Sequence, residues 1–319
     1  MTIDSSEPPL PEPHLPARDP RDPHSHKGTF GTIAIVGGSV SGGTMMTGAP
    51  ALAALGAFRA GAGLVRLVCP GSALAGALAI VPSATGLVLP TDRCGAIVAH
   101  EAAALLDSVL GSCDALALGP GLGSDAGNQQ GVETVVLRAL QQDERPLVID
   151  ADAINALARV PEFARDFHAS AILTPHPGEF RRLAEPLRIS LDPTDPAQRP
   201  AAAEAMARKL GCILVLKGAG TVVTDGYQTW VCPHGHSCLA TAGTGDVLTG
   251  VIVGLLGQAV GQAAGTLPNL FETARAGVLV HALAGECWAE QHHASAGLLA
   301  ADLADLLPPC VESIRDTRQ

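Results

Sequence analysis

Short, uninterrupted apolar runs alternate with Ala-rich stretches along this chain, and that alternation constrains the fold more than any other feature. "TIAIVGG" precedes "GAPALAALGAFRAGAG" and "LVRLVC"; "ALALGPG", "PLVIDADA", "AILTPHP" and "CILVLKG" continue the pattern. A run of four to six apolar residues offers water no polar face. Such strands must be covered on both sides, which is the signature of parallel strands joined through helices. The expected fold class is α/β: a three-layer sandwich with a mostly parallel central sheet and helices on both faces. No fixed-period repeat or mid-chain linker is visible in the 319 residues. One domain is expected over residues 26–310, where order begins near "HKGTFG", with a flexible Pro-rich tail over 1–25 and a short tail over 311–319.

In a sheet of this kind ligands collect at the carboxyl ends of the strands. The polar and glycine-rich signals fall there: Gly37, Gly38 and Ser39; Gly119 to Gly123; Asp150, Asp152 and Asn155; His176 and Glu179; and Lys217 to Thr221. Five strand ends with turn chemistry on one rim amount to one extended site. "TAGTGDVLTG" (241–250) adds a glycine-rich turn running into the apolar "VIVGLL". If that run is a helix, the unpaired N–H groups around Gly243, Thr244 and Gly245 form an anion site. Asp246 beside it would repel phosphate unless a metal or a reacting hydroxyl lies between them.

Composition narrows the partners. A net charge of −11 argues against nucleic acid, whose phosphates call for clustered Lys and Arg. Eight scattered cysteines without a CxxC pair, and an N-terminus without an apolar signal region, suit reduced core thiols and a cytoplasmic protein. The apolar runs are broken by Gly, Pro or Asp before the ~18 residues of a membrane span, so no transmembrane segment is expected.

"HKGTFG", "GPGLG", "DADAIN", "LTPHPGEF", "LKGAGTVV" and "AGTGDVLTG", in this order, resemble the ADP-dependent (S)-NAD(P)H-hydrate dehydratases of the ribokinase-like superfamily. The likeness runs from about His26 to Leu307. It implies dehydration of the (6S) hydrate of NADH or NADPH back to the reduced cofactor, with ADP giving AMP and phosphate and with Mg²⁺ present. By the same resemblance Asp246 is the general base; Ala49, Gly121 and His176 contact the hydrated cofactor; and Lys217, Gly218, Ala219, Gly220, Thr221 and Gly245 bind the nucleotide. No metal ligand is assigned, although Asp150, Asp152 and Asn155 are candidates for organising magnesium or the substrate rim. A homotetramer or larger assembly and cooperation with a separate epimerase are also implied.

Two other readings remain: an ATP-dependent vitamin or sugar kinase, which shares the "GTGD" turn, and a non-catalytic nucleotide sensor, which would keep the glycine loops but not need Asp246. One segment departs from the family pattern. "CPHGHSC" places Cys232, His234, His236 and Cys238 at alternate positions, as a Cys₂His₂ zinc site would, but Pro233 and Gly235 work against a regular strand. A loop beside the nucleotide, with His236 in place of an amide, is the better expectation.

Overall fold

A computed structural model describes residues 21–123, 125–262 and 268–315. The tail expected over 1–25 therefore lies outside the described residues as far as residue 20. Of the rest, Arg21 stacks on Phe30, its guanidinium carbon 3.8 Å from the ring centroid.

The strands are β1 Thr32–Val36, β2 Leu64–Cys69, β3 Thr85–Val88, β4 Ala115–Leu118, β5 Leu147–Ile149, β6 Ala171–Leu173, β7 Ile213–Leu216, β8 Val222–Thr224 and β9 Thr229–Val231. The helices are α1 Gly48–Arg59, α2 Gly71–Ile80, α3 Ala99–Leu110, α4 Gln129–Leu140, α5 Ala151–Leu157, α6 Pro177–Ala184, α7 Arg199–Leu210, α8 Thr244–Gln262, α9 Leu270–His292, α10 Ala300–Asp305 and α11 Leu307–Ser313. The strands form one nine-stranded sheet in the order β3-β2-β1-β4-β5-β6-β7-β8-β9. Pairing is parallel as far as β7 and antiparallel across β8 and β9. The chain winds from β1 outward to β3, then returns to place β4 on the other side of β1. The switch point thus lies between β1 and β4, under the Gly37 and Gly119 loops.

Alternate residues of each central strand serve opposite layers. Ala34, Val36, Leu116, Leu118, Leu147 and Ile149 pack with the apolar faces of α3 to α7. Ile33, Ile35, Ala117, Val148, Ile172 and Val215 pack with α1, α2, α8 and α9. A further apolar layer from α8 to α11 closes the second face. The three-layer α/β expectation therefore holds, because six of the strands are apolar on both faces.

Three features depart from the sequence reading. β8 and β9 form an antiparallel hairpin turning at Asp225-Gly226, and exposed β3 caps the opposite edge. Helix α8 runs 19 residues with a mean hydropathy of 1.3 over its most apolar window, so its glycines do not break it at the length a membrane span needs. Since 72% of that window is buried inside the protein, it is a core helix. Helix α11 also carries the folded chain past the boundary expected at residue 310.

Candidate active site

The parallel strands β1, β4, β5, β6 and β7 end along one edge, and their loops form a single rim. The first turn of α8 closes it. Gly243 has φ +89°, and a Cβ there would come within 2.6 Å of Leu52 Cδ1, so only glycine turns the chain into this helix. Thr244, Gly245 and Asp246 are its first three residues. Asp246 is therefore inside the helix rather than its cap, which removes the capping explanation for an aspartate here. The half-buried His281 on α9 donates from Nε2 to the Thr244 carbonyl at 2.9 Å and fixes this turn from behind. Burial pushes its pKa down to about 4, so it does so as a neutral ring.

Lys217, at the end of β7, does not snorkel to solvent. Its Nζ lies 2.7 Å from Asp150 Oδ1 and 3.9 Å from Glu179 Oε2, with 18% of the side chain exposed. Burial alone would lower its pKa, but Asp150, Glu179 and Asp246 outweigh burial and raise it, so the ammonium is retained. The other Asp150 oxygen accepts from Thr249 Oγ1 at 2.7 Å. One lysine thus serves a group of carboxylates from β5, α6 and α8. Desolvation, reinforced by Asp150, pushes Asp246 up to about 7, and Lys217 opposes that rise. Desolvation likewise pushes Glu179 up to about 6. A carboxylate poised near neutrality at the N-terminus of a helix is suited to accepting a proton next to a bound anion.

His176 is the N-cap of α6: its Nδ1 accepts from the Gly178 amide at 2.9 Å, and the Glu179 carboxylate accepts from the His176 amide at 2.8 Å. His176 thus caps this turn with Nδ1 and keeps a half-exposed ring at the rim. Burial, then Lys217 and Arg182, lower its pKa, so the ring is neutral at ordinary pH. Gly121, at φ +66°, would meet Ala49 Cβ at 3.2 Å if it carried a Cβ, which puts these two expected substrate contacts side by side at the switch point. Asp152 Oδ2 accepts from the Gly123 amide at 2.9 Å and ties the β4 and β5 loops together.

The segment from Lys217 to Thr221 has a brace that the sequence reading missed. Buried Arg199, at the start of α7, donates to the carbonyls of Pro193 at 2.7 Å and of Leu216 and Lys217 at 2.8 Å. An arginine in an Ala-rich helix carries no motif. Its signal is only that it precedes Pro200, the proline of a helix's first turn.

Asn155 is set apart from the cluster: it accepts from Arg182 at 3.0 Å on an exposed surface, so it does not join Asp150 and Asp152. The 232–238 segment does not gather its four candidate ligands. His234 pairs with Glu286 at 3.1 Å, His236 Nδ1 accepts from the Cys238 amide, and Cys238 donates to the Gly285 carbonyl. Burial pushes the Cys232 thiol up to about 11, opposite to what a zinc thiolate needs. Among the described residues no group of three or more His, Cys, Asp and Glu could hold a metal ion by itself. That donor set still fits Mg²⁺ arriving on nucleotide phosphates, since this ion keeps several waters and takes only one or two carboxylates.

A family model described as NAD(P)H-hydrate dehydratase matches residues 34–309. The bifunctional NAD(P)H-hydrate repair enzyme Nnr of Moorella thermoacetica is 37% identical over 93% of this chain and 52% of its own length. The chain spans about half the length of the curated relatives it matches. Among solved structures, the ADP/ATP-dependent NAD(P)H-hydrate dehydratase from Bacillus subtilis, co-crystallised with ATP and Mg²⁺, is 29% identical with a TM-score of 0.69, covering 93% of this chain and 95% of that one. A ribokinase-like superfamily protein from Enterococcus faecalis is 25% identical with a TM-score of 0.70, covering 92% and 91%. The three-layer sandwich is a ribokinase-like fold.

Proposed function

The chain belongs to the NAD(P)H-hydrate dehydratase family, and from that premise we propose that it restores NADH and NADPH from their (6S) hydrates, converting ADP to AMP and phosphate. The observation that carries this reading is Asp246, a carboxylate with a pKa of about 7 in the first turn of α8 beside the Gly243 to Gly245 amides. The hydrate's ring hydroxyl loses its proton to Asp246 as its oxygen attacks the terminal phosphorus of ADP. The bond to the AMP oxygen breaks. The poor leaving group is now a phosphate ester, and loss of a ring proton with departure of phosphate restores the reduced nicotinamide.

Each remaining residue has a matching task. The helix N-terminus of α8 stabilises charge on the transferring phosphoryl group. Lys217 holds the surrounding carboxylates, supplies positive charge towards phosphate, and keeps Asp246 from rising so far that it stays protonated. Gly218, Ala219, Gly220 and Thr221 line the nucleotide's path along the braced loop, while Ala49, Gly121 and neutral His176 receive the hydrated cofactor. Asp152 is the residue suited to hold nucleotide-borne Mg²⁺, which when bound would neutralise phosphate charge.

The test is to incubate the protein with hydrated NADH and either ADP or ATP, following recovery of the reduced-nicotinamide absorbance and the adenine product. The expected result is faster recovery with ADP than with ATP at matched concentration, with AMP released. Equal or faster recovery with ATP overturns the nucleotide preference. No recovery with either nucleotide overturns the dehydratase assignment, and a stable phosphorylated alcohol would instead indicate a kinase.

A further inference from the structure

We infer that this protein has a second binding site, for a small oxyanion, a phosphate or carboxylate group, in the cleft between the last turn of α1 and the C-terminal helix α11. The cleft holds about 410 Å³ and is lined by Arg21, Arg59 and Arg315 together with Phe58, Pro308 and Glu312. Three guanidiniums converging on one surface are unusual in a chain of net charge −11. Two have carboxylate partners: Arg59 pairs with Asp305, and Arg315 Nη1 lies 3.3 Å from Glu312. Arg21 has no carboxylate partner among the described residues. It donates to the Gly61 carbonyl and to Gln258, and its face rests on Phe30. Among the described residues, the three arginines and two carboxylates leave the site one positive charge in excess.

The independent indication of a ligand is Arg315. Its side chain is 8% exposed, yet its Nε–H has no hydrogen-bond acceptor among the described residues. A buried guanidinium donor left unmatched is costly, so a site that retains one is a site that expects an acceptor. The guanidinium fork matches the spacing of phosphate and carboxylate oxygens. Arg21 also feels Arg315: burial first, then the Arg315 charge, lower its pKa, which an anion between them would reverse. The cleft is distinct from the rim described above. Ala49 lies at the start of α1 and Phe58 to Gly61 at its end, so the two sites are separated by the helix, about 18 Å at 1.5 Å per residue.

The test is a titration of protein carrying isotope-labelled arginine, reading the side-chain Nε–Hε resonances. One arm uses inorganic phosphate and a second uses malonate, each against chloride at matched ionic strength. The Arg315 resonance, assigned by its loss in Arg315→Gln, is expected to shift saturably with at least one oxyanion and not with chloride. Arg21→Gln, at an exposed position and with unchanged thermal stability as the control for folding, should weaken that titration about tenfold or more. Saturating ADP, which belongs at the opposite end of α1, should leave it unchanged. Saturation with phosphate alone identifies a phosphoryl ligand and saturation with malonate alone a carboxylate. No saturable shift in either arm, or a shift unaffected by Arg21→Gln or abolished by ADP, overturns the site.

Discussion

At Asp246, burial and the nearby Asp150 charge work against Lys217, and the balance leaves the carboxyl near pH 7. Two consequences separate chemistry from stability. As a base, Asp246 works only when deprotonated, so turnover should rise as pH passes through about 7 and level off above it. Asp246→Asn should lose roughly 10²–10⁴ in kcat while still binding ADP. Stability runs the other way. The folded pKa lies above the ordinary 3.8, so the folded state holds the proton more tightly than the unfolded chain between those values, and stability falls as pH rises from about 4 to about 7. Asp246→Asn should therefore be more stable than the parent at pH 8, by about 1–2 kcal/mol for a partly open side chain, and the gain should vanish near pH 4. Thermal melts beside a pH–rate profile read both. A stable, ADP-binding variant with parental rates removes Asp246 as the base. Lys217 supplies the matching test: Lys217→Gln takes away the charge that holds Asp246 down, so the acid limb of the profile should move to higher pH. An unmoved limb would mean that Lys217 does not tune Asp246.

Helix α8 carries the anion turn, and its position depends on how closely it approaches α1. A Cβ on Gly250 would fall 2.0 Å from the Ala53 carbonyl oxygen, and one on Gly56 would fall 2.4 Å from that of Val247. Two opposed effects then act on Gly250→Ala. Helix propensity favours alanine by about 1 kcal/mol, whereas overpacking a backbone contact costs about 1–3 kcal/mol. With both backbones buried, the second should win, and the melting temperature should fall despite the better helix former; a rise would show that the helices separate freely. The same glycines explain why the length of α8 was hidden in the sequence, where a glycine reads as a breaker unless one knows what it faces. β1 and β4 to β7 were legible because strands covered on both sides are apolar along nearly their whole length, and β2 because Arg66 alone interrupts its apolar run. β3 and β9, at the sheet's edges, are largely exposed and carry no such run, and β8 offers only Val222 and Val223 before Thr224. In the site the strand-end residues announced themselves by turn chemistry. Thr249, Arg199 and His281 did not, since each lies within a helix and acts on a partner distant in sequence. Arg199→Met tests that hidden layer. It strips donors from the Leu216 and Lys217 carbonyls, so it should raise the KM for nucleotide about tenfold while changing that for the hydrate little. Equal effects on both would indicate general unfolding instead.

For the molecule as a whole, the groups proposed for chemistry stand on one rim and approach the substrate from one direction. Asp246 and the amides behind it come from α8, whereas the Gly121 and His176 loops, proposed to hold the cofactor, follow β4 and β6 on the strand side. On the proposed roles, a hydrate bound there would present its ring hydroxyl to Asp246 in one configuration only. The opposite epimer, held by the same contacts, directs its hydroxyl away from both base and phosphoryl group, and misplacement of that kind forfeits most of the advantage of proximity. The expected outcome is therefore that this protein, given an epimeric mixture of hydrated NADH and excess ADP, restores absorbance quickly to the share contributed by the (6S) form and then stops. Added epimerase should carry the same reaction to completion. Chiral chromatography of the remaining hydrate distinguishes this plateau from an inactivated enzyme, because the residue should be the other epimer alone and a second portion of (6S) hydrate should be consumed at the initial rate. Complete and rapid conversion of both epimers without added epimerase would show that the rim accepts either configuration, and the one-sided placement of Asp246 would then have to be abandoned.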